Sequence, residues 1–405
     1  MWRSVFVPTV VLAFAEGMLV PVLPLYVVSL GVPLWWVGMV LAAEGIGMLI
    51  ADLPAGALLR RMDRKNAMLA GIAVLAVAAL ALSRVDEGVV AVFALRLMAG
   101  LGAALWGISR HAYLTDAVPL RQRGRTIAAF GGATRVGMLL GPAVGGVIAA
   151  AAGYQAAFLA YALVAAVALA FCGLFQERQP RHGAAAAQGT PSARAPIRTP
   201  ATAHGAWAAM WRERGRWLLA AGAGNLMAQA IRAGRRIVIP LTASATLGLD
   251  VEQVGWIVSA AAAFDVAMFP LAGWAMDRWG RKWAIVPSFL LQALGMALVP
   301  LAGNLAGLAA AACLIGFGNG IGSGTMMTIG ADLAPPDAVG EFLGVWRLIG
   351  DGGTMGGPVM VGALADALTL PLATLAIAAV GAAAALTFAY GVPETLRWPV
   401  ARRAA

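Results

Sequence analysis

The sequence predicts an all-α membrane protein: twelve transmembrane helices in two pseudo-symmetric six-helix halves. Three observations carry this expectation. Hydrophobic residues make up 61% of the chain and charged residues 12%, against roughly 45–50% and 25% in soluble domains, and the mean hydropathy is +0.81. The apolar residues fall into runs of the length that crosses a bilayer, about 20 residues each. The second half of the chain repeats the first at an offset of 216 residues, the mark of a duplicated unit.

The spans fall near 5–29, 34–59, 66–84, 88–112, 125–151, 154–175, 217–243, 253–276, 283–301, 305–331, 341–366 and 368–391. The first has one arginine ahead of a long apolar run that holds Glu16 and two prolines, so it reads as a retained span and not a cleaved signal peptide. Residues 1–175 form the N-terminal half and 217–391 the C-terminal half, and 392–405 form a cytoplasmic tail. Between the halves lies a polar segment, 176–216, with Pro180, Pro191, Pro196 and Pro200 among alanines and arginines. That composition is a linker's. Its last part carries Trp207, Met210 and Trp211 beside Arg212, Arg214 and Arg216, the pattern of a short helix lying on a membrane surface.

The repeat is legible in particular residues. Pro24-Leu25 matches Pro240-Leu241, Gly100 and Gly102 match Gly316 and Gly318, Asp116 matches Asp332, and Gly124 matches Gly340. Span five contains GMLLGPAVGG, from Gly137 to Gly146, and Gly353, Gly357 and Pro358 repeat its Gly137, Gly141 and Pro142. Glycine and proline are poor in the interior of a helix in water and tolerated in lipid, where neighbouring helices pack on the glycine and re-satisfy the backbone. Gly137, Gly141 and Gly145 recur every four residues and share one face. Parallel halves of this kind place a substrate site at their interface, near the midplane.

Charge fixes orientation and excludes other classes. Arg84 stands on one side, and Arg96, Arg135, Arg232, Arg235 and Arg236 lie within spans, which leaves 23 of the 29 lysines and arginines on the opposite side. This distribution puts both termini in the cytoplasm, and it explains the net charge of +10 without nucleic acid. Cys172 and Cys313 sit in apolar runs and suggest no disulfide framework. His111, His182 and His204 lack metal-ligand spacing, and the glycine-rich stretches follow apolar helices and not strands, so no nucleotide loop is implied. No enzyme, cofactor or metal is expected.

Three motifs point to a family. The loop after span eight reads Gly273-Trp274-Ala275-Met276-Asp277-Arg278-Trp279-Gly280-Arg281-Lys282; span four holds Arg96, Gly100, Gly102 and Ala103; span five holds the glycine-proline stretch above. In this order they resemble the signatures of the major facilitator superfamily: the cytoplasmic loop G-x-x-x-D-R-x-G-R-K, the R-x-x-x-G-x-G-A associated with proton transfer, and the g-x-x-x-G-P-x-x-G-G of antiporters. The chain resembles the twelve-span drug:proton antiporter group in particular. Pro393-Glu394-Thr395-Leu396 is similar to another family ending. The resemblance implies gating or structural roles for Arg135, Gly141, Pro142, Gly273, Asp277, Arg278, Gly280 and Arg281, with the glycine face a packed seam that blocks ion leak. Generic helix packing is the other reading of that face. The equivalent loop after span two departs from the pattern: Arg60 stands in the place of the family's Asp, and Asp63 in that of its Gly. Asp52 or Asp63 is the substitute on offer.

Charged groups inside a bilayer are expensive and usually functional. Glu16, Glu44, Arg96, Arg135, Arg232, Asp265 and Asp351 all lie 10 to 16 residues from one end of their spans, about 15–24 Å deep at 1.5 Å per residue. They form a central polar layer. In span seven Asn225, Gln229, Arg232 and Arg236 make one stripe, with Arg235 beside it. The resemblance puts spans one, four, seven and ten around the cavity and so turns this stripe toward substrate; outward snorkelling of Arg235 and Arg236 is the competing reading. Glu16 is the repeat counterpart of Arg232, so the two are expected to face each other across the cavity. A permanent ion pair of Glu16 with Arg232 or Arg96, and of Glu44 with Arg96, is the structural alternative. The resemblance brings span five against span eight, so Arg135 and Asp265 are expected to pair there, either as a static bridge or as one that loosens on protonation. Trp106 and Trp256 are pocket walls or packing residues.

Together these readings give a secondary transporter: proton-coupled antiport that exports small organic compounds, drug-like or metabolite, by alternating access. The candidate substrate contacts are Glu16, Arg96, Gln229, Arg232, Arg235 and Asn319, and the candidate protonation sites are Glu16, Glu44, Asp265 and Asp351. The expected partners are the substrate, protons and the lipid bilayer, in a monomer of the bacterial inner membrane. Uptake of a polar or anionic metabolite by proton symport or facilitated diffusion is the alternative; a non-transporting receptor or scaffold is the remote one.

Overall fold

In the computed structural model residues 5–58, 62–86, 88–117, 123–175, 200–335 and 338–396 are described. They form thirteen α-helices: α1 (Val7–Ser29), α2 (Leu34–Leu58), α3 (Arg64–Leu82), α4 (Val89–Ala117), α5 (Arg123–Ala152), α6 (Tyr154–Phe175), α7 (Pro200–Leu241), α8 (Val251–Arg278), α9 (Arg281–Leu298), α10 (Leu305–Ile321), α11 (Thr325–Leu333), α12 (Val339–Ala367) and α13 (Leu370–Leu386). Twelve spans result, because α10 and α11 are two pieces of the tenth. Ten of the twelve are long and apolar enough to cross a membrane. The other two, α7 and α12, carry Arg232, Arg235 and Arg236 and the Arg347–Asp351 pair.

The repeat is a repeat of structure. The bounds of α1 to α6 recur 216 or 217 residues later to within a few residues, except for the lengthened start of α7. Short polar punctuation sets the ends. The Asp250 carboxylate accepts the Gln253 amide at 2.8 Å while the Gln253 side chain accepts the Asp250 amide at 3.1 Å, a reciprocal cap that starts α8. Gly31 and Gly248 occupy equivalent turns with φ of +70° and +63°, a backbone that only glycine adopts cheaply. Residues 205–217, expected as a separate surface helix, are continuous with the seventh span in α7. The rest of the expected linker, 176–199, lies outside the described residues, as do Arg60 and Arg61 of the second loop.

Within each half, small residues let helices touch backbone to backbone. A Cβ on Gly137 would stand 2.6 Å from the Phe14 nitrogen, and those of Gly141 and Gly145 would run into the backbone of Phe14 and Met18. The glycine face of α5 therefore packs on α1 of its own half, and Gly353 and Gly357 pack α12 on α7 in the same way. This is the helix-packing role, and it corrects the expectation that the face forms the seam.

The seam lies a step around the same helices. The halves meet through α5 against α8 and α2 against α12. There a Cβ on Gly255 would meet the Pro142 carbonyl at 2.5 Å, and its repeat counterpart Gly38 is pressed likewise on the Pro358 carbonyl. Gly146 against Val251 and Gly362 against Leu34 continue this contact to the end of the bundle away from the chain termini. The Ser259 hydroxyl accepts the Ala143 amide at 2.9 Å. Asp366, at the end of α12, accepts the amides of Leu34 and Trp35 at 2.9 and 2.7 Å, so one half caps the first turn of α2 in the other. Toward the terminal end a Cβ on Gly131, Gly132, Gly273, Gly340 or Gly344 would meet nothing within 4 Å, while Arg347 of α12 reaches Asp52 of α2 across the halves at 3.6 Å. Among the described residues the close backbone contacts across the seam thus lie toward the end away from the termini, the closed end.

The outer surface is apolar. Leu159, Leu163, Val167 and Leu174 line one exposed face of α6, an unbroken apolar strip of the kind a soluble surface avoids and lipid accepts.

Candidate functional site

Between the halves lies a chamber of about 520 Å³. Its walls come from α1 (Val20), α5 (Thr134, Arg135, Met138, Pro142), α7 (Gln229, Arg232, Arg235, Arg236, Ile239), α8 (Val258, Asp265), α10 (Ile315, Asn319) and α12 (Thr354). Membership follows from the fold: α5 and α8 are seam helices, and α7 presents Gln229, Arg232 and Arg236 of its stripe inward, while Asn225 donates to the Trp346 carbonyl of α12. Three of the expected substrate contacts on α7, Gln229, Arg232 and Arg235, line this chamber, and so does Asn319.

Asp265 is held from two sides. Arg135 of the other half forms a salt bridge to its Oδ1, the pairing expected from the family resemblance and the matching depth of the two residues. The Asn319 amide donates to its Oδ2 at 2.7 Å, so Asn319 both lines the chamber and orients the acid. The Arg135 guanidinium also lies over the Phe269 ring, 5.0 Å from its centre. Asp265 and Arg135 are 13% and 24% exposed as side chains, which makes this a mostly desolvated link across the seam.

Arg232 does not face Glu16. Its guanidinium donates to the Gly322 carbonyl at 2.9 Å and to Gln229 at 3.4 Å, and it stacks 5.0 Å from the centre of Phe289. The cause is a break in span ten that the repeat does not foretell. The N-terminal counterpart of the break is Trp106-Gly107-Ile108, inside the continuous α4; here the chain reads Gly322-Ser323-Gly324 and stops being helical. Gly324 has φ of +76°. The freed Gly322 carbonyl takes the arginine, together with the Thr325 hydroxyl at 2.6 Å. Discontinuous helices at mid-depth are where transporters of this architecture bind cargo.

Glu16 belongs to a cluster inside the N-terminal half. It accepts the Tyr161 hydroxyl at 2.8 Å, and no cation lies within salt-bridge distance of it among the described residues. The charges that act on it are Glu44, Arg96 and Arg236. Glu44 and Arg96 form a salt bridge with each other, 19% and 8% exposed, which is the structural alternative for that pair. Arg96 does not line the chamber; the Glu44 bridge holds it between α2 and α4.

Asp351 pairs with Arg347 at 3.5 Å, and Arg347 reaches Asp52 of the other half at 3.6 Å. Of the two substitutes offered for the missing loop acid, Asp52 is the one that bridges to span eleven; Asp63 precedes α3 without a side-chain cap. In the intact loop, Arg281 binds Asp277 at 3.1 Å, Asp332 at 3.0 Å and the Met276 carbonyl at 2.9 Å. Glu394 closes the arrangement by accepting the amides of Arg281 and Lys282 at 2.9 and 3.1 Å. Gly280, at φ +122°, lies where a Cβ would stand 2.5 Å from that carboxylate. A Cβ on Gly273 would meet nothing within 4 Å, and Arg278 lies in the last turn of α8. Trp106 is buried under Arg110 and Trp256 is 57% exposed; neither lines the chamber.

A family model described as Major Facilitator Superfamily matches residues 5–234 and again 224–405. The chain belongs to the Major Facilitator Superfamily. This member is similar to Multidrug resistance protein 2 of Bacillus subtilis (strain 168), 28% identical over 158 residues, 38% of this chain and 39% of that relative; the match spans about two fifths of the curated relative's length. Among solved structures it resembles a bacterial homolog to the human lysosomal transporter Spinster in an inward-facing and occupied conformation (TM-score 0.77, 12% identity, 95% of this chain and 94% of that one). A POT family transporter in complex with a thioalcohol conjugated peptide gives TM-score 0.76 at 13% identity over 95% and 94%. The nucleoside transporter NupG gives 0.74 at 14% identity over 95% and 99%. At such identities the likeness is one of fold. Membership of the superfamily makes this chain a multi-pass membrane transporter.

Several site residues were not singled out by sequence reasoning. Tyr161 is one tyrosine in an apolar helix, and Asp366 follows a span's last turn. Arg347 was passed over for the deeper Asp351. The glycine-serine-glycine at 322–324 stands where the first half has Trp106-Gly107-Ile108, and two glycines flanking a serine are the sequence signal of the break.

Proposed function

We propose that the chain is a proton-coupled antiporter that exports small organic compounds across a bacterial inner membrane by alternating access, with both termini in the cytoplasm. The observation that carries the proton coupling is Glu16. Glu44, Asp265 and Asp351 each contact an arginine, whereas Glu16 has a tyrosine hydroxyl as its direct partner. It can exchange a proton without first breaking an ion pair, and Arg236 on the chamber wall links its charge to what the chamber holds. Asp265 is the second protonation candidate: neutralising it would release Arg135 and loosen the seam. The glycine-proline stretch and the partial likeness to a multidrug resistance protein support export.

Reconstitution in proteoliposomes with an imposed pH gradient tests this. Substrate is expected to move opposite to protons in the native protein. In Glu16→Gln the gradient-driven flux is lost while substrate exchange without a gradient persists. Flux in the same direction as protons would instead establish symport, the uptake reading, and flux indifferent to the gradient would refute proton coupling.

A further inference from the structure

We infer that the cargo of this chamber is an organic anion: an oxyanion head, carboxylate or phosphate, on an apolar body. The inference rests on the chamber being the substrate site of the transporter proposed above. It is carried by charge and shape. Four arginines, Arg135, Arg232, Arg235 and Arg236, stand on the wall against one carboxylate, Asp265, a lining charge of +3. Charging Glu16 behind the wall lowers the local sum by one and leaves it positive.

Of the four, Arg135 alone has a carboxylate, Asp265, within salt-bridge distance among the described residues. Arg232 has the Gly322 carbonyl, Gln229 and a phenylalanine ring, all neutral, and its buried Nε has no acceptor. Arg235 and Arg236 have no carboxylate within 4 Å among the described residues. Unpaired guanidinium groups at mid-depth are costly in a membrane protein. They repel one another and any cation, and each offers donors in the planar fork that matches carboxylate and phosphate. The Gly322 carbonyl freed by the break in span ten takes one side of Arg232 and so anchors it at the edge of the chamber without neutralising it.

The rest of the wall excludes a bare inorganic ion as the intended cargo. Val20, Met138, Ile239, Val258 and Ile315 face a space of about 520 Å³, within the range of roughly 300–1,000 Å³ that holds small organic ligands. An apolar body on those side chains with its anionic head among the arginines uses both surfaces.

The test uses the full-length protein in nanodiscs and three probes that share one apolar body: 1-naphthoate, 1-naphthylmethanol and 1-naphthylmethylammonium. Calorimetry is expected to show naphthoate bound at least about tenfold more tightly than the ammonium, the scale of one charge-assisted hydrogen bond. Arg235→Gln and Arg236→Gln, which leave the Arg232 anchor and the Arg135 bridge in place, each weaken naphthoate several-fold and leave the alcohol within twofold of native. A preference for the ammonium, no discrimination among the three, or equal losses for naphthoate and the alcohol would overturn the inference. Sodium sulfate that competes with naphthoate as well as unlabelled naphthoate does would reduce the site to an inorganic anion site and overturn it too. Binding and the pH-driven flux above are separate readouts: anion preference without gradient-driven transport refutes the coupling alone, and proton-driven transport of the cation refutes the anion alone.

Discussion

A single cross-seam contact, Arg135 with Asp265, is where residue chemistry and mechanism meet most directly. Asp265 is bound by Arg135 of one half and by Asn319 of its own, so removing Arg135 leaves a carboxylate with one neutral donor in a mostly dry place. Breaking a buried pair costs on the order of 3 kcal/mol. Arg135→Asp and Asp265→Arg are each expected to lower the melting temperature in detergent by several degrees and to abolish transport. The double exchange restores the contact and recovers part of both. A double variant no better than the worse single would show that the charges act elsewhere. The close-packed glycines of α5 and α8 divide by target in the same way. Gly141→Leu drives a side chain into the α1 backbone and is expected to destabilise the fold. Gly255→Leu pushes on the Pro142 carbonyl of the other half and is expected to keep the fold while forcing the closed end apart, read by spin-label distances across that end.

At the scale of elements, the loop before α9 and the chain after α13 make one unit. Burial pushes the Glu394 carboxyl up, but the amides of Leu396, Arg281, Lys282 and Thr395 outweigh burial and hold it below its ordinary 4.5. A depressed carboxylate contributes stability that is complete above its unfolded value and lost as the pH falls through the lower folded one. Native protein is therefore expected to melt above Glu394→Gln at pH 7, and the difference to shrink as the pH is lowered below 4.5. A difference that is constant down to pH 3 would show that the carboxylate's charge plays no part in capping α9. The Thr395 hydroxyl, on Asp332 at 2.8 Å, ties the same tail to the end of α11.

For the whole molecule, the question is what holds the halves together at the end away from the chain termini. The closed end is held by close backbone contacts at Gly38, Gly255, Gly146 and Gly362 and by one side chain, Asp366, which accepts two amides at the start of α2. Loss of an N-terminal cap costs about 1 kcal/mol, a factor of roughly five in a two-state population. Asp366→Ala is expected to shift the balance toward opening at that end by about this factor, measured as the reactivity of a single cysteine placed in the chamber toward an impermeant reagent added from that side. An unchanged reactivity would mean that the glycine contacts alone set the closed state. Asp366 binds across the halves, so the same substitution on a helix not shared between them would change stability without changing this ratio.

The fold and its division into halves were legible because they rest on one-dimensional properties. Apolar run length measures the bilayer, and repeats at 216 residues measure the duplication; neither depends on which atoms touch. The Arg135–Asp265 link could be read as well, because the family resemblance sets span five against span eight and the two residues lie at equal depth. The position of Glu16 opposite Arg232 could not. It assumed that the halves carry their charges with equal symmetry, and the broken helix at Gly322 offers Arg232 a carbonyl that α4 never frees. The glycine face misled for a related reason: a period of four says that residues share a side of the helix and is silent about which neighbour that side meets. Sequence thus determined the number, order and polarity of the spans, and the presence of excess positive charge at mid-depth. Tertiary structure decided which of those charges are neutralised and which face the chamber, because pairing depends on helix rotation and on breaks of a few ångströms that no residue count records.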